Sequence, residues 1–531
     1  MPSVKLSITC RKALTAKYKA PALKRLDAAI AAWIKADKAR GITTIHIAVD
    51  DSTAMRGYKV APVTGTVTPN KVKKALDSLV AKLSPDYVVL FGAGDVVPPF
   101  VVPNPSAAED AEATVPTDNP YASSRNFSVG TRASYLIPDR VVGRIPDVPR
   151  SGDPSWVIDY LGVAASWQSS SRSKYASAML ICCDAWKKAG EECVRFFATG
   201  ALKLMISPPA ADTSATIRKK HSAPIHMIKC HGAESDSRFY GQKGQSYPPV
   251  LRSTSLLKRT KVGTVAGAMC CFGANVFDPD DQRNVTPGDP PIPSVYLRQG
   301  AYGFLGSTTT AWVGDETMMC ADWIVAGFLK SVLGGASLGR ATLESKQDFV
   351  RWTQQQGHEL DSAEEKTLLQ FVLLGDPSIH PVKAAAPAGV VAASLPAAAS
   401  SGAMTARHAR RAARRELGAM LRAVMPSVTH VSSTHVPPTI AAVMRRLAGK
   451  QRKGQRLSAP RIERRVRPVA FEAPGPVSAG PVLAGPGIER SNLQYYWATA
   501  PKTGPVRDIR VVSIQADPQG SVLRTHVLVS S

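Results

Sequence analysis

The stretch HMIKCHGAESDSRFYG, residues 226–241, sets a Cys-His-Gly triplet directly after a short apolar run. Farther on, VAGAMCCFGANVFDP carries Cys270 and Cys271 at the end of a second apolar run, with Gly273 close behind. A thiol attacks a carbonyl as thiolate, or with a base beside it to take its proton, and imidazole is the common partner. If the two runs are neighbouring strands, His231 and one of the two cysteines can form such a pair, and backbone N–H groups at the strand ends can receive an oxyanion. Glycine after His231, and glycine two beyond Cys271, permit the tight turns and close substrate approach this chemistry requires.

Other readings of the same residues stand beside this one. His231 can be a polar loop histidine, and Cys270 and Cys271 a pair of small buried hydrophobes, since free cysteine is often core. Cys230, His231, Cys270 and Cys271 also count as four zinc ligands. Adjacent residues rarely both point at one tetrahedral ion, however, and no Cys-x-x-Cys spacing occurs. Strand alternation gives Cys270 and Cys271 opposite faces, so only one of them can meet His231.

The elements that must position these residues are legible to about residue 380. TTIHIAVDD (43–51) and PDYVVLFGAGD (85–95) read as buried strands, and NKVKKALDSLVAKLSP between them has Val72, Ala75, Leu76, Leu79, Val80 and Leu83 at helical spacing. The rhythm resumes with strands in YASAMLICCDAW, APIHMIKCHG, KVGTVAGAMCC and GAYGFLGSTT, alternating with helical candidates at 188–205 and 316–334. Strand–helix alternation implies a parallel sheet covered by helices, and ligands bind beyond the carboxyl ends of such strands. The polar loop NPSAAEDAEATVPTDNPYASS (104–124) leads into YLIPDRVVGRIPDVP (135–149), a short strand flanked by prolines, and reads as a junction between two α/β units.

The composition bounds the class. The chain has 531 residues, 44% of them hydrophobic, enough for at least one large core. Eight cysteines, none beyond position 320, are too few for a disulfide scaffold and fit reduced thiols in a cytoplasmic setting. The N-terminal MPSVKLSITCRKALTAKYKA lacks the apolar core of a secretory signal, and no run of about 18 apolar residues suggests a transmembrane segment. The net charge of +25 is concentrated: residues 401–470 hold 16 Lys and Arg against two Glu. This segment can bind nucleic acid or an anionic surface, can carry cleavage sites in a flexible tail, or can simply be a solubilising linker. Within it, TARHARRAARRELGAMLRAVM (405–425) can form a basic helix, and the final RDIRVVSIQADPQGSVLRTHVLVSS alternates like a β-hairpin turning at DPQG.

IHMIKCHG and TVAGAMCCFGA, in that order, resemble the His-Gly and Cys elements of caspase-type cysteine peptidases. VVLFGAGDVVPPF, TDNPYAS, IPDRVVGRIPDV, GAYGFLGSTTTAWVG and LLGDPSIHPV resemble successive landmarks of the gingipain branch, and together cover roughly residues 43 to 382. The resemblance implies an α/β fold, a caspase-like three-layer sandwich in two subdomains, followed here by a basic low-complexity C-terminal extension. It makes His231 the general base and acid, with Gly232 and the nucleophilic cysteine giving oxyanion N–H groups. The Cys-x-Gly spacing of caspases selects Cys271, our expectation, and the longer gingipain spacing selects Cys270. Asp118 in TDNPYAS falls where gingipains hold an acid facing a basic P1 side chain, and Trp312 resembles the tryptophan flanking that pocket. Asp118 can equally cap the turn before Asn-Pro. Some relatives bind calcium; no residues here are assignable to it, and no cofactor or metal is otherwise expected.

The expected organisation is an N-terminal α/β subdomain (1–150) and a catalytic subdomain (151–382). An Ala/Pro-rich basic linker, disordered with one helix (383–480), and a small β-rich tail (481–531) follow. The expected activity is that of a cysteine endopeptidase acting through a thioester acyl-enzyme on protein or peptide substrates, after Arg or Lys. The alternative, of another class, is a non-catalytic interaction protein that keeps a peptidase-like scaffold and binds nucleic acid or an anionic surface through residues 401–470.

Overall fold

A computed structural model describes residues 3–110, 112–198, 202–281, 283–355, 360–384, 427–430, 461–467, 490–498, 509–516 and 522–531. Its centre is a ten-stranded sheet. In chain order the strands are β1 (Ser3–Thr9), β2 (Ile42–Ala48), β3 (Tyr87–Phe91), β4 (Val142–Ile145) and β5 (Ala178–Cys183), then β6 (Met205–Ser207), β7 (Ile225–Lys229), β8 (Val265–Ala268), β9 (Gly303–Ser307) and β10 (Phe371–Gly375). Across the sheet they run β2-β1-β3-β4-β10-β9-β8-β7-β5-β6. Every neighbouring pair is parallel except β9 with β10. The sheet is therefore two five-stranded parallel halves facing opposite ways, joined along the β9–β10 seam. The seam comes from the return of the chain: β10, from the end of the 151–382 segment, adds to the first half beside β4.

The strand sequences explain their placement. YVVLF, AMLICC, IHMIK and FVLLG are nearly continuous apolar runs, as strands buried on both faces must be. Helices cover both faces, and β7 shows it directly. His226 meets Tyr296 of helix Ile292–Arg298 at 2.6 Å, whereas Lys229, three residues on and so on the opposite face, meets Asp322 of helix Ala321–Leu333 at 2.5 Å. The result is the expected α/β three-layer sandwich, a mixed sheet between two layers of helices.

Several elements differ from the sequence expectation. The helical candidate at 188–205 ends at Phe197, and Met205–Ser207 is the edge strand β6. The candidate at 316–334 forms Ala321–Leu333 after an extended lead-in. The strand Ser3–Thr9 was not foreseen, because SVKLSIT carries a lysine mid-strand; Lys5 is buried and answered by Asp37 at 2.6 Å and Asp376 at 2.5 Å. Loop 104–124 does more than join two units. Phe100–Pro103 pairs with Thr114–Thr117, and Thr308, just beyond β9, donates to Pro116 O at 2.7 Å, so the loop walls the carboxyl end of the second half.

A second sheet of six strands runs Trp312–Gly314, Val522–Ser530, Arg510–Ala516, Arg490–Ala498, Arg461–Arg467 and Ser427–His430. Most of the basic segment 401–470, its helix candidate at 405–425 included, lies outside the described residues. No helix among the described residues is long and apolar enough to cross a membrane.

Candidate active site

β7 and β8 are parallel neighbours with Ile228 opposite Ala268, so His231 and Cys271 lie at the same level, each three residues past that pair. The two ends abut. A Cβ placed on Gly232 would lie 2.1 Å from Cys271 O and 3.4 Å from Cys270 Cβ, a space only glycine can occupy. After Cys271 the chain turns at once: Phe272 holds φ 55°, and Gly273 N donates to Cys270 O at 3.0 Å. A non-glycine residue in the left-handed region is strain of the kind that collects at functional turns.

The two cysteines face opposite ways, as alternation requires. Cys270 belongs to the main core, with its Sγ 3.6 Å from Ile228 O and no exposure. Cys271 turns its Sγ to the segment after β9, where Ala311 N–H donates to it at 3.2 Å. Burial pushes the Cys271 thiol up to about 12, against the Ala311 hydrogen bond, which holds it down. Burial likewise raises Cys270 well above the ordinary thiol range.

His231 is held by groups that sequence reasoning missed. Its backbone exchanges two 2.9 Å hydrogen bonds with Tyr240, which starts the return of the hairpin Arg238–Tyr240 and Pro249–Arg252. That return brings Gln242 Oε1 to 3.0 Å from His231 Nε2, while Gln242 Nε2 donates to Tyr247 Oη at 3.0 Å. An amide oxygen only accepts, so Nε2 carries the proton and Nδ1 is the basic nitrogen of the neutral ring. Trp186 and Tyr247 pack against the imidazole with ring centroids 4.5 and 5.3 Å away. No spacing signal in the sequence marks Gln242 or Trp186; both depend on chain folding back from other strands.

The strand Trp312–Gly314 runs past the Cys271 thiol. Asp322 fixes it, accepting from Gly314 N at 2.9 Å and Met319 N at 3.0 Å while pairing with Lys229 of β7. Trp312 is fully buried among Met319, Cys320, Ala363, Ile509, Val511 and Leu528. Asp118 lies in a cleft of about 190 Å³ that it shares with Ala274, Asn275 and Thr308. Both its carboxylate oxygens are taken by Arg144, at 2.6 and 2.9 Å. A second acidic pair, Glu112 and Asp110, lies within electrostatic reach of the Cys271 thiol. Lys366 bonds to both, and Thr310 donates to Glu112 at 2.6 Å. Burial raises Asp110 to about 7, while for Glu112 burial is outweighed by Lys366 and by its hydrogen bonds, which hold it low. All eight cysteines are free thiols, and among the described residues no group of three or more His, Cys, Asp or Glu is placed to hold a metal ion, calcium or zinc.

Two structures of the Saccharomyces cerevisiae separase–securin complex align with 46% of this chain at 13% identity. Their TM-scores are 0.28 and 0.27, and the aligned part is 15% and 14% of those chains. No curated protein sequence matches. The model of peptidase family C25, a family of cysteine endopeptidases, matches residues 15–148 and 231–382. That span is more than half of the chain and includes both strand ends described above. The chain belongs to peptidase family C25.

Proposed function

We propose that the chain is a cysteine endopeptidase whose dyad is His231 and Cys271. The observation that carries this reading is that His231 and Cys271 follow adjacent parallel strands at one level, with the Cys271 thiol, and not that of Cys270, turned toward Ala311 at the start of Trp312–Gly314. A substrate lying along Trp312–Gly314 would present its carbonyl carbon to Sγ. His231 Nδ1 takes the thiol proton as Sγ bonds to that carbon, and the oxyanion gathers against the Cys271 N–H beside Gly232. Collapse breaks the C–N bond, the imidazolium gives its proton to the leaving amine, and a thioester remains. Water, deprotonated by His231, then attacks the thioester, releasing the acid and restoring the thiol.

Gln242 acts as a positioning residue that fixes the histidine tautomer. A P1 preference for Arg or Lys is the finer part of the proposal. Asp118 stands in the adjoining cleft, but Arg144 already neutralises it, so the selection it can exert on a second cation is modest. The test is a panel of short fluorogenic peptides differing only at P1, run with wild type, Cys271→Ala, Cys270→Ala and His231→Ala. Hydrolysis lost in His231→Ala and Cys271→Ala but kept in Cys270→Ala supports the dyad. Equal rates for basic and neutral P1 residues would remove the basic preference and leave the dyad standing.

A further inference from the structure

The residues in contact with the Cys271 backbone include one from the far end of the chain. Val522–Ser530 pairs antiparallel with Trp312–Gly314 in the register Trp312 with Ser530, Val313 with Val529 and Gly314 with Leu528. Ser531 continues past the paired segment. Its N–H donates to Ala311 O at 3.0 Å, and its carbonyl oxygen accepts from Cys271 N–H at 2.5 Å. That N–H is the donor the proposed mechanism assigns to the oxyanion. Ser530 and Ser531 are fully buried, Leu528 and Val529 nearly so, and Cys271 itself is 3% exposed beneath them. On the outer side the tail is anchored by Arg510–Ala516, by Ser530 Oγ accepting from Ile509 N at 2.8 Å, and by Leu528 packing with Trp312, Ile509 and Val511.

An extended chain running antiparallel to an edge strand, with a carbonyl oxygen on the nucleophile's own N–H, is bound as the acyl side of a substrate is bound. We infer that residues 528–531 are an internal pseudosubstrate that fills the substrate groove and holds the enzyme closed until the tail strand leaves. This inference rests on the reading of Cys271 as nucleophile. It assigns Ser531 to the P1 position, Ser530 to P2, Val529 to P3 and Leu528 to P4. A substrate cannot enter while the tail is in place, because both require the same backbone partners on Ala311, Val313 and Cys271. Tethering makes the competition severe, since a segment on the same chain acts at an effective concentration of the order of millimolar. The Ser531 hydroxyl adds to the seating of the tail by donating to Ala311 O at 3.2 Å.

The test compares the full chain with Leu528→Asp, which places a charge against Trp312, and with Ser531→Pro, which removes the N–H and the hydroxyl given to Ala311. Two readouts are taken on each: the iodoacetamide alkylation rate of Cys271, followed by peptide mapping, and hydrolysis of the fluorogenic panel. Leu528→Asp is expected to raise both by about tenfold or more, with a smaller rise for Ser531→Pro. A synthetic peptide of residues 522–531 added to the opened variant is expected to suppress both. Ser531→Pro changes only the last of the tail residues, so it keeps the test alive if Leu528→Asp fails to fold. Hydrolysis at the same rate in wild type and variants would overturn the inference while leaving the peptidase reading intact. Faster alkylation without hydrolysis of any peptide would support the tail's role in covering the thiol and sink the peptidase reading.

Discussion

The two halves of the central sheet are built alike, each from five parallel strands, yet their carboxyl ends are furnished differently. At the ends of β3 and β4 the side chains are charged and fully matched. Arg144 binds Asp118 and the carbonyls of Gly92 and Val97, and Asp147 takes Ala93 N, the Tyr18 hydroxyl and Lys17. At the ends of β7 and β8 the side chains are an imidazole and a thiol, with glycine beside them and a backbone N–H aimed outward. Matched charge leaves nothing for a ligand to answer, and its removal costs stability. Groups that are neutral at rest and can exchange a proton leave room for chemistry. The same architecture is thus a foundation in one half and carries the proposed reaction site in the other.

Substitutions at the two ends should separate these roles. The largest effect is expected in the second half: Cys271→Ala or His231→Ala should lower kcat/KM by about 10³-fold or more, with Tm little changed, and the double variant should be no worse than either single one. Cys270→Ala should instead cost about 1–2 kcal/mol of stability, read from denaturant midpoints, as a core cavity does. In the first half, Arg144→Met should leave Asp118 uncompensated and cost about 3–5 kcal/mol, while Cys271 in the folded fraction alkylates as before. Gln242→Ala should lower kcat about 10- to 100-fold at nearly constant KM and shift the acid limb of the pH profile. A merely structural glutamine would move Tm and leave that limb in place.

A separate effect is a slope with pH. The folded chain holds Cys271 neutral up to about 12, whereas an unfolded chain ionises its thiols near 9.0. The native state then binds more protons than the unfolded one, so the stability from this thiol is complete below pH 9 and drains away as pH rises toward 12. The loss from this thiol approaches about 1.4 kcal/mol per pH unit above pH 9, and thermal melts at pH 8 and 10 would show it. Cys182, Cys193, Cys230 and Cys270, raised in the same direction by burial, add to the slope.

The dyad strands were legible because their composition and their terminal His-Gly and Cys-Cys signals agree. Alternation gives Cys270 and Cys271 opposite faces, but which of them meets His231 is open from alternation alone. The stretches that resemble family landmarks turn out to be structural anchors as much as functional ones. Asp376 of LLGDPSIHPV answers buried Lys5, and Asn119 of TDNPYAS bonds to Leu136 O, Leu368 O and Lys346. What stayed hidden were contacts between segments distant in sequence. A lysine inside β1 hides a strand, because the two aspartates that neutralise it come from a helix and from β10. The grip of Gln242 on His231 depends on a hairpin returning to its start, and the reach of Asp110 and Glu112 toward Cys271 depends on the loop crossing the seam. Trp312 was noticed, but its cover by the last strand has no local signature.

The central claim is that Cys271, activated by His231 at the ends of β7 and β8, is the nucleophile. Covalent capture by a peptidyl acyloxymethyl ketone, followed by mass mapping of all eight cysteines, tests it most directly in wild type and in Leu528→Asp. The account predicts a single adduct on Cys271, faster in Leu528→Asp and abolished by His231→Ala. An adduct on Cys270 or Cys230, or none on Cys271 in the opened variant, would contradict it.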